Sequence, residues 1–302
     1  MSVRDDGTAA ALVTRSPFVH RPATAGDSGY RRLVAANDVL FKVADVTLRL
    51  GGNLILENLT FDIIDRVRPD KITGQIVALL GPSGVGKTRL LRIMAGLDEA
   101  DHGDVFDGKG VPLVAGQVGV VFQNYILLRH HTVLGNLVTA GVMNGMPRDQ
   151  ARDKAAQLLA RFGLGERAGF YPMQLSGGQR QRVAIAQQLV HQKQLLLMDE
   201  PFSGLDPAAL DEVVRLLVQV RDMDELNTLF IVTHDIRTAL KVADTVLMLG
   251  RDHAADGKPS SGARIKEKID LVEMGLAYRD DLETDPKFLE LERRIKAEFP
   301  AL

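Results

Sequence analysis

Short apolar runs alternate with longer amphipathic segments through most of the chain. Five runs have the length and composition of buried strands: 76–80, 118–122, 195–198, 229–232 and 246–249. Apolar residues at helical spacing occupy four segments between them: 90–97, 132–143, 151–162 and 210–220. Strands that alternate with helices predict a mostly parallel sheet covered by helices on both faces.

A different pattern precedes the first of these strands. Apolar and polar residues alternate in 39–64, and the alternation is interrupted at Gly51-Gly52. This predicts a small antiparallel sheet. The polar segment 65–74 contains Pro69 and is predicted to be a loop.

The remaining segments set the predicted domain boundaries. Residues 1–36 lack periodicity, are rich in small residues, Pro and Arg, and predict a flexible arm. Residues 37–302 form the main domain, with a helical subdomain inserted at about 124–180 and a C-terminal extension at about 251–302. Within this extension, Asp285-Pro286 predicts the start of a last helix. Its apolar stripe comprises Phe288, Leu291, Ile295 and Phe299.

Composition and charge limit the classes of function. A length of 302 residues allows one large domain or two small ones, and the absence of Cys excludes disulfides and thiolate metal sites. The net charge of −2 gives no global attraction to nucleic acid or to an anionic membrane surface. We expect neither a signal peptide nor a membrane-spanning run, so a role at a membrane would work through partner chains.

The strongest chemical signal is the segment GPSGVGKT at 81–88, which has the pattern G-x-x-x-x-G-K-[ST]. It lies between an apolar strand and a helical segment, the context that a phosphate-binding P-loop needs. Its glycines allow the backbone to wrap around phosphates, and free N–H groups at the helix start point at the anion. Lys87 would contact the outer phosphates, and the Thr88 hydroxyl would ligate Mg²⁺. The alternative is a glycine turn with a chance lysine.

The P-loop pattern, added to the strand and helix pattern, allows us to predict the fold class and the nucleotide-binding residues. We predict an α/β fold: a P-loop NTPase core with a mostly parallel sheet, a small antiparallel β subdomain and an inserted helical subdomain. The predicted nucleotide-binding residues of the loop are Gly81, Pro82, Ser83, Gly84, Val85, Gly86, Lys87 and Thr88.

Two acidic residues end the apolar strand at 195–198. In P-loop ATPases a strand in this position delivers the carboxylate that holds Mg²⁺. Asp199 is therefore a predicted metal ligand, and Glu200 a predicted general base for the attacking water. The alternative is a strand end with solvated acids.

The segment Leu175-Ser-Gly-Gly-Gln179 precedes another helical stretch. Ser176 and Gln179 have the spacing of a capping box, which is one explanation of the pattern. Gly177 and Gly178 exceed what a cap requires and indicate a backbone that approaches a ligand closely, such as a phosphate at a helix start.

Six segments together resemble the nucleotide-binding subunit of ATP-binding cassette (ABC) transporters over roughly residues 39–250. They are GPSGVGKT at 81–88, Gln123, LSGGQ at 175–179, LLLMDEP at 195–201, SGLD at 203–206 and His234. The resemblance implies ATP and Mg²⁺ as cofactors and an ATPase that drives a small solute through transmembrane permease subunits. It places the chain on the cytoplasmic inner face of the cell membrane, held there by its partners.

The resemblance also implies roles for individual residues. Gln123 would ligate Mg²⁺ and sense the γ-phosphate, and His234 would contact that phosphate as a switch. Asp206 matches the family's D-loop. Without the family, Gln123 is a polar strand terminus, Asp206 a helix start and His234 a structural residue.

The family's signature motif implies a dimer. Ser176, Gly177, Gly178 and Gln179 would close over ATP bound to the other subunit. The partner is then a second copy of the chain, or a homologous ATPase subunit, arranged head to tail. A solute-binding protein is a further partner that the family admits, and no nucleic acid is expected.

The chain departs from the family at the adenine site. Members stack the base on an aromatic residue before the double glycine, where this chain has Leu50. Leu50 is predicted to cover the base without ring stacking. The run 125–128 matches the region that receives the permease, although core packing would also explain it. The amino-acid sequence of 118–137 and that of the tail after 251 are similar to the sequences of importers of nitrate, sulfonates and taurine.

Two other functions compete with the transporter subunit. A soluble ABC-type ATPase of DNA repair or translation usually carries a coiled-coil insertion or two cassettes, and the sequence has neither. A regulatory module that binds nucleotide without turnover is disfavoured by Lys87, Glu200 and His234, and mildly favoured by Leu50.

Overall fold

The computed structural model describes most of the chain. The described residues are 31–32, 39–67, 74–191, 195–223, 227–255, 257–259, 261–279 and 281–302. Within them, the strands are β1 (Arg31–Arg32), β2 (Val39–Leu50), β3 (Asn53–Ile64), β4 (Arg66–Val67), β5 (Gln75–Leu80), β6 (His102–Asp107), β7 (Gly119–Val121), β8 (Leu195–Asp199), β9 (Thr228–Thr233), β10 (Thr245–Gly250) and β11 (Arg264–Asp270). The α-helices are α1 (Lys87–Met94), α2 (Val133–Met143), α3 (Arg148–Arg161), α4 (Gly177–Leu189), α5 (Pro207–Arg221), α6 (Ile236–Val242) and α7 (Pro286–Glu298).

The main sheet contains all five predicted buried strands. Its order is β11-β10-β5-β9-β8-β7, and the five strands from β10 to β7 run parallel. Every residue of β5, β8, β9 and β10 is buried, because both faces of the sheet are covered. The predicted parallel sheet is confirmed.

The sixth strand, β11, was missed by the sequence analysis. It pairs antiparallel with β10 at the sheet edge, within the segment predicted only as an extension. Ile265 and Ile269 are its two apolar residues, and the rest are charged. An edge strand with an exposed side does not need the continuous apolar run that marks a buried strand.

The predicted antiparallel sheet is confirmed and has three strands in the order β3-β2-β6. The hairpin between β2 and β3 turns at Gly51 and Gly52, which both have positive φ (55° and 84°). Phe61 of β3 stacks on Phe230 of β9, with ring centroids 6.1 Å apart. This contact fixes the small sheet against one face of the main sheet.

The helix predicted at 132–143 is α2 (Val133–Met143). Thr132 caps α2, and its hydroxyl oxygen accepts a hydrogen bond from the Gly135 N–H at 3.0 Å. Helix α4, which begins at the end of this region, contacts α2 and α3 within it and also β7 and α5. The fold therefore connects the helical region to the main sheet through α4.

The N-terminal arm and the 65–74 loop meet in a short strand pair. Arg31 and Arg32 of β1 pair antiparallel with Val67 and Arg66 of β4, so the predicted arm has regular structure there. The rest of these two predictions, 1–30, 33–36 and 68–73, lies outside the described residues.

The C-terminal extension packs onto the domain. Asp285 caps α7, as predicted, and accepts a hydrogen bond from the Lys287 N–H at 2.8 Å. The apolar stripe is buried at Phe288, Leu291 and Ile295. No helix in the part of the chain that the structure describes is long and apolar enough to cross a membrane.

We predict that Phe288→Ala destabilises the whole domain, whereas the neighbouring Leu289→Ala does not. Phe288 is fully buried and its truncation leaves a cavity, which costs about 3 to 5 kcal/mol. Leu289 is 38% exposed, so its truncation should cost less than about 0.5 kcal/mol. Urea unfolding of both variants measures the difference. Equal unfolding midpoints would show that α7 is not part of the cooperative core.

Candidate functional site

The P-loop follows β5 and leads directly into α1, as the motif predicts. Gly86 stands immediately before the helix with φ 122°, a conformation that L side chains rarely adopt. A Cβ atom there would lie 2.7 Å from Leu56 Cδ2. The position therefore requires glycine, and it brings the β2–β3 hairpin against the loop.

Lys87 extends back across the loop, and its side chain is only 6% exposed. Its Nζ donates to the carbonyl oxygens of Gly81 at 2.9 Å and Pro82 at 3.1 Å. The same Nζ lies 3.3 Å from Glu200 Oε1. The ammonium group thus lies in the curve of the loop, where it can meet an anion.

Thr88 and Asp199 form a pair of hard oxygen donors beside the loop. The Thr88 hydroxyl donates to Asp199 Oδ1 at 3.0 Å. Burial raises the pKa of the Asp199 carboxyl, and the neighbouring Glu200 charge acts in the same direction, against the Thr88 hydrogen bond and the Lys87 charge. A bound cation would supply the positive charge that keeps this carboxylate ionised.

This pair fits the predicted Mg²⁺. Magnesium usually takes one or two protein oxygens and completes its shell with water and phosphate oxygens. Among the described residues, no group of three His, Asp or Glu side chains could hold a metal by itself. Thr88 and Asp199 would therefore hold the ion together with a bound phosphate.

The Glu200 carboxylate lies between Lys87, which follows the P-loop glycines, and His234, which follows β9. Its Oε2 lies 2.9 Å from His234 Nδ1, while its Oε1 faces Lys87. Its backbone has φ 47°, an unfavourable value for a residue with a side chain, and its N–H donates to Val232 O at 2.9 Å. A carboxylate held between a cation and a histidine beside a phosphate loop can accept a proton from water.

His234 follows β9 and precedes α6, a helix that the sequence analysis missed. The Asp235 carboxylate caps α6 by accepting a hydrogen bond from the Thr238 N–H at 3.0 Å. An acidic residue in front of a short apolar stretch is a helix-start signal that could have revealed it. The His234 side chain is 49% exposed, so a ligand could reach it.

Gln123 lies just beyond β7 and contacts a different segment. Its Nε2 donates to the Ser203 Oγ at 3.2 Å, which joins it to the turn at 203–206. None of the hydrogen bonds among the described residues joins Gln123 to Thr88 or Asp199. The predicted metal and catalytic roles of Gln123 remain predictions, and Ser203 is a partner that the sequence analysis did not identify.

The α4 N-terminus has the predicted capping box. Ser176 Oγ accepts from the Gln179 N–H at 3.3 Å, and Ser176 N–H donates to Gln179 Oε1 at 3.0 Å. A Cβ atom at Gly177 or Gly178 would meet nothing within 4 Å. Packing among the described residues does not account for these glycines. No hydrogen bond or ion pair among the described residues connects this helix start to Lys87.

Leu50 and Asp206 occupy the places predicted for them in the chain. Leu50 is 39% exposed at the end of β2, beside the double-glycine turn. Asp206 caps α5 and accepts from the Ala209 N–H at 3.0 Å, so the helix-start interpretation is confirmed. Their contacts with nucleotide remain predictions.

Comparison with known proteins identifies chains that are similar to this one. The family model for ABC transporters matches residues 65–203. The glutamine transport ATP-binding protein GlnQ of Escherichia coli (strain K12) is 36% identical over 230 residues, which cover 73% of this chain and 92% of GlnQ. The sulfate/thiosulfate import ATP-binding protein CysA of Acinetobacter baylyi is 38% identical over 220 residues, which cover 70% of this chain. The chain spans 59% of the length of that CysA.

Solved structures share the fold. A structure of cbiO1 from Clostridium perfringens, described as part of an ABC transporter complex, has a TM-score of 0.66 at 24% identity and covers 86% of this chain and 99% of its own. The ATP-binding cassette MJ0796, a dimer in a post-hydrolysis state with ADP and Pi, has a TM-score of 0.60 at 27% identity and covers 77% and 99%. These matches confirm the predicted fold class, and the chain belongs to the family of ABC transporter ATP-binding proteins.

Proposed function

We propose that the chain binds ATP with Mg²⁺ and hydrolyses it to power the transport of a small solute through partner permease subunits. The observation that carries the proposal is the contact network of Lys87, Glu200 and His234, with Thr88 and Asp199 beside it. It brings the anion, metal and proton chemistry of phosphoryl transfer to one edge of the sheet.

The P-loop would bind the phosphates of ATP. The backbone of 81–86 wraps around the Lys87 ammonium, and the first N–H groups of α1 lie at the end of the loop. A phosphate entering here would replace the Gly81 and Pro82 carbonyls as the partner of Lys87. Thr88 and Asp199 would hold a magnesium ion beside these phosphates, and its positive charge would stabilise the charge of the transferred phosphoryl group.

Glu200 would act as the general base. Its carboxylate reaches toward the loop and is 14% exposed, so solvent water has access while burial strengthens its local interactions. It takes a proton from the water that attacks the γ-phosphate. His234 lies within hydrogen-bond distance of Glu200 and can contact the same phosphate and fix the carboxylate's orientation.

The α4 N-terminus would serve a second chain. Gly177 and Gly178 follow Ser176 at an open helix start, where a Cβ atom on either glycine would meet nothing within 4 Å, and helix N-termini attract anions. A head-to-tail dimer would place this start over the phosphates bound by the other protomer. Each of its two sites would then use residues from both chains.

An exposed apolar surface supports the permease partner. Ile126 and Leu128 are 63% and 42% exposed, and Tyr171 and Met173 are 47% and 84% exposed. Hydrogen bonds tie both pairs to the start of α2: the Leu128 N–H donates to Asn136 Oδ1, and the Val133 N–H donates to Phe170 O. Exposed apolar side chains that lie near one another are typical of surfaces that bind another protein. The chain would therefore lie on the cytoplasmic face of the membrane, and a solute-binding protein would deliver the solute.

We predict that Glu200→Gln reduces ATP hydrolysis by about 10² to 10⁴-fold while ATP still binds. The amide keeps the shape of the carboxylate but cannot accept the proton of the attacking water. Phosphate release and ATP binding are the two measurements, and Glu290→Gln, the same change at an exposed position of α7, is the control. Wild-type turnover in Glu200→Gln would remove Glu200 from the role of base. Absence of turnover in the unmodified chain would favour the regulatory module.

We predict that Leu50→Tyr binds ATP about fivefold more tightly. A ring stacked on adenine contributes about 1 kcal/mol beyond its buried area. Calorimetry measures the affinity, and Leu289→Tyr, a change at a similarly exposed leucine on α7, should leave it unchanged. If Leu50→Tyr binds ATP no more tightly than the control, adenine does not rest on this position.

We predict that two inactive variants, Lys87→Ala and Ser176→Arg, recover part of the ATPase activity when they are mixed. In a mixed dimer one site carries both lesions and the other carries neither, because each site draws Lys87 and Ser176 from different chains. Activity is measured against the mixing ratio, with each variant alone as the control. If mixed dimers form and the mixture stays inactive, the result would contradict the idea that one intact shared site can hydrolyse ATP without the other.

A further inference from the structure

Gln181 is a buried polar side chain that has no role in the hydrolysis proposed above. It lies in α4, five residues after Ser176, and is 1% exposed. Its Nε2 donates a hydrogen bond of 3.1 Å to the carbonyl oxygen of Pro201, the residue that follows Glu200. This contact joins the helix with the open N-terminus to the strand end with the proposed base.

The amide orientation of Gln181 is fixed by its partner. A proline carbonyl only accepts hydrogen bonds, so the Gln181 NH₂ group must face it. The amide oxygen, Oε1, is buried and has no hydrogen-bond partner among the described residues. A buried polar atom without a partner costs stability, and an apolar residue would avoid that cost. The donated bond is the feature of Gln181 that an apolar residue could not replace.

The acceptor belongs to a strained turn. Glu200 has φ 47°, and surrounding contacts must hold a residue with a side chain in this conformation. Its N–H donates to Val232 O at 2.9 Å, and its carbonyl accepts from the Ser203 N–H at 3.2 Å. The hydrogen bond from Gln181 to the Pro201 carbonyl oxygen is a third restraint, and it acts on the residue after Glu200. The carboxylate direction depends on this backbone, because Cβ follows φ and ψ.

We propose that Gln181 is a positioning residue: its hydrogen bond to Pro201 holds Glu200 in the left-handed conformation that directs its carboxylate toward Lys87 and His234. The inference rests on the proposed role of Glu200 as base. The hydrogen bond also links the start of α4 to Glu200. If the first turn of α4 moves, Gln181 moves with it and shifts the Pro201 backbone beside Glu200.

The test compares two identical changes on one helix. Gln181→Met keeps the approximate length and shape of the side chain but removes the donor. Gln188→Met makes the same change two turns later, where Gln188 Oε1 accepts from the Val120 N–H at 3.4 Å, away from Glu200. We expect kcat to fall about tenfold in Gln181→Met alone, with KM and ATP affinity within about twofold of the unmodified chain.

A double variant separates positioning from a general loss of structure. If Gln181 acts through Glu200, Gln181→Met should lower the residual single-turnover hydrolysis of Glu200→Gln by less than about twofold, because the effect has already been lost. A further tenfold loss in the double variant would overturn the proposal. So would an unchanged kcat in Gln181→Met, or an equal loss in Gln188→Met.

These outcomes differ from a failure of the proposed function. That function fails if the unmodified chain does not hydrolyse ATP, or if Glu200→Gln retains full turnover. The positioning role fails when both of those results are as expected but the Gln181→Met results are not. Thermal unfolding of each variant verifies that the measured rates belong to folded protein.

Discussion

The arrangement of the site depends on one buried positive charge. A lysine ammonium removed from water must be compensated by hydrogen bonds and an opposite charge. Lys87 obtains them from two loop carbonyls and from Glu200, a residue 113 positions later in the chain. The bonds therefore fix the curvature of the P-loop and its distance from the end of β8. Removing Glu200's charge or Lys87 itself would leave the other partner without its counter-ion.

The parallel sheet places the participants at one edge. In its register Leu80 of β5 pairs with Thr233 of β9, and Asp199 of β8 pairs with Val232. The three strands thus end side by side, and the residues after them emerge at the carboxyl edge where open α/β sheets bind ligands. Because the strand order in the sheet differs from the order in the chain, segments that are far apart in the sequence become neighbours.

Much of the fold and of the candidate site could be predicted from the sequence, because the signals for them lie within short segments of the chain. Apolar runs reveal strands that are buried on both faces, and the P-loop pattern contains its own strand, turn and helix. The charged edge strand β11 and the short helix α6 were missed because neither carries a long apolar pattern. The bond from Gln181 to Pro201 could not be predicted, because a buried amide and its carbonyl partner meet only after folding. The open glycines of α4 find no explanation in the packing of the described residues, and the proposed second chain would supply one.

We propose that the phosphate site around Lys87 and Glu200 is completed by the α4 N-terminus of another protomer. A disulfide between Ser83→Cys and Ser176→Cys tests it directly, because the chain has no native Cys. We expect an intermolecular crosslink that forms with ATP and Mg²⁺, is absent without nucleotide, and is absent in either single variant. ATP binding without any intermolecular crosslink between these positions would contradict the account.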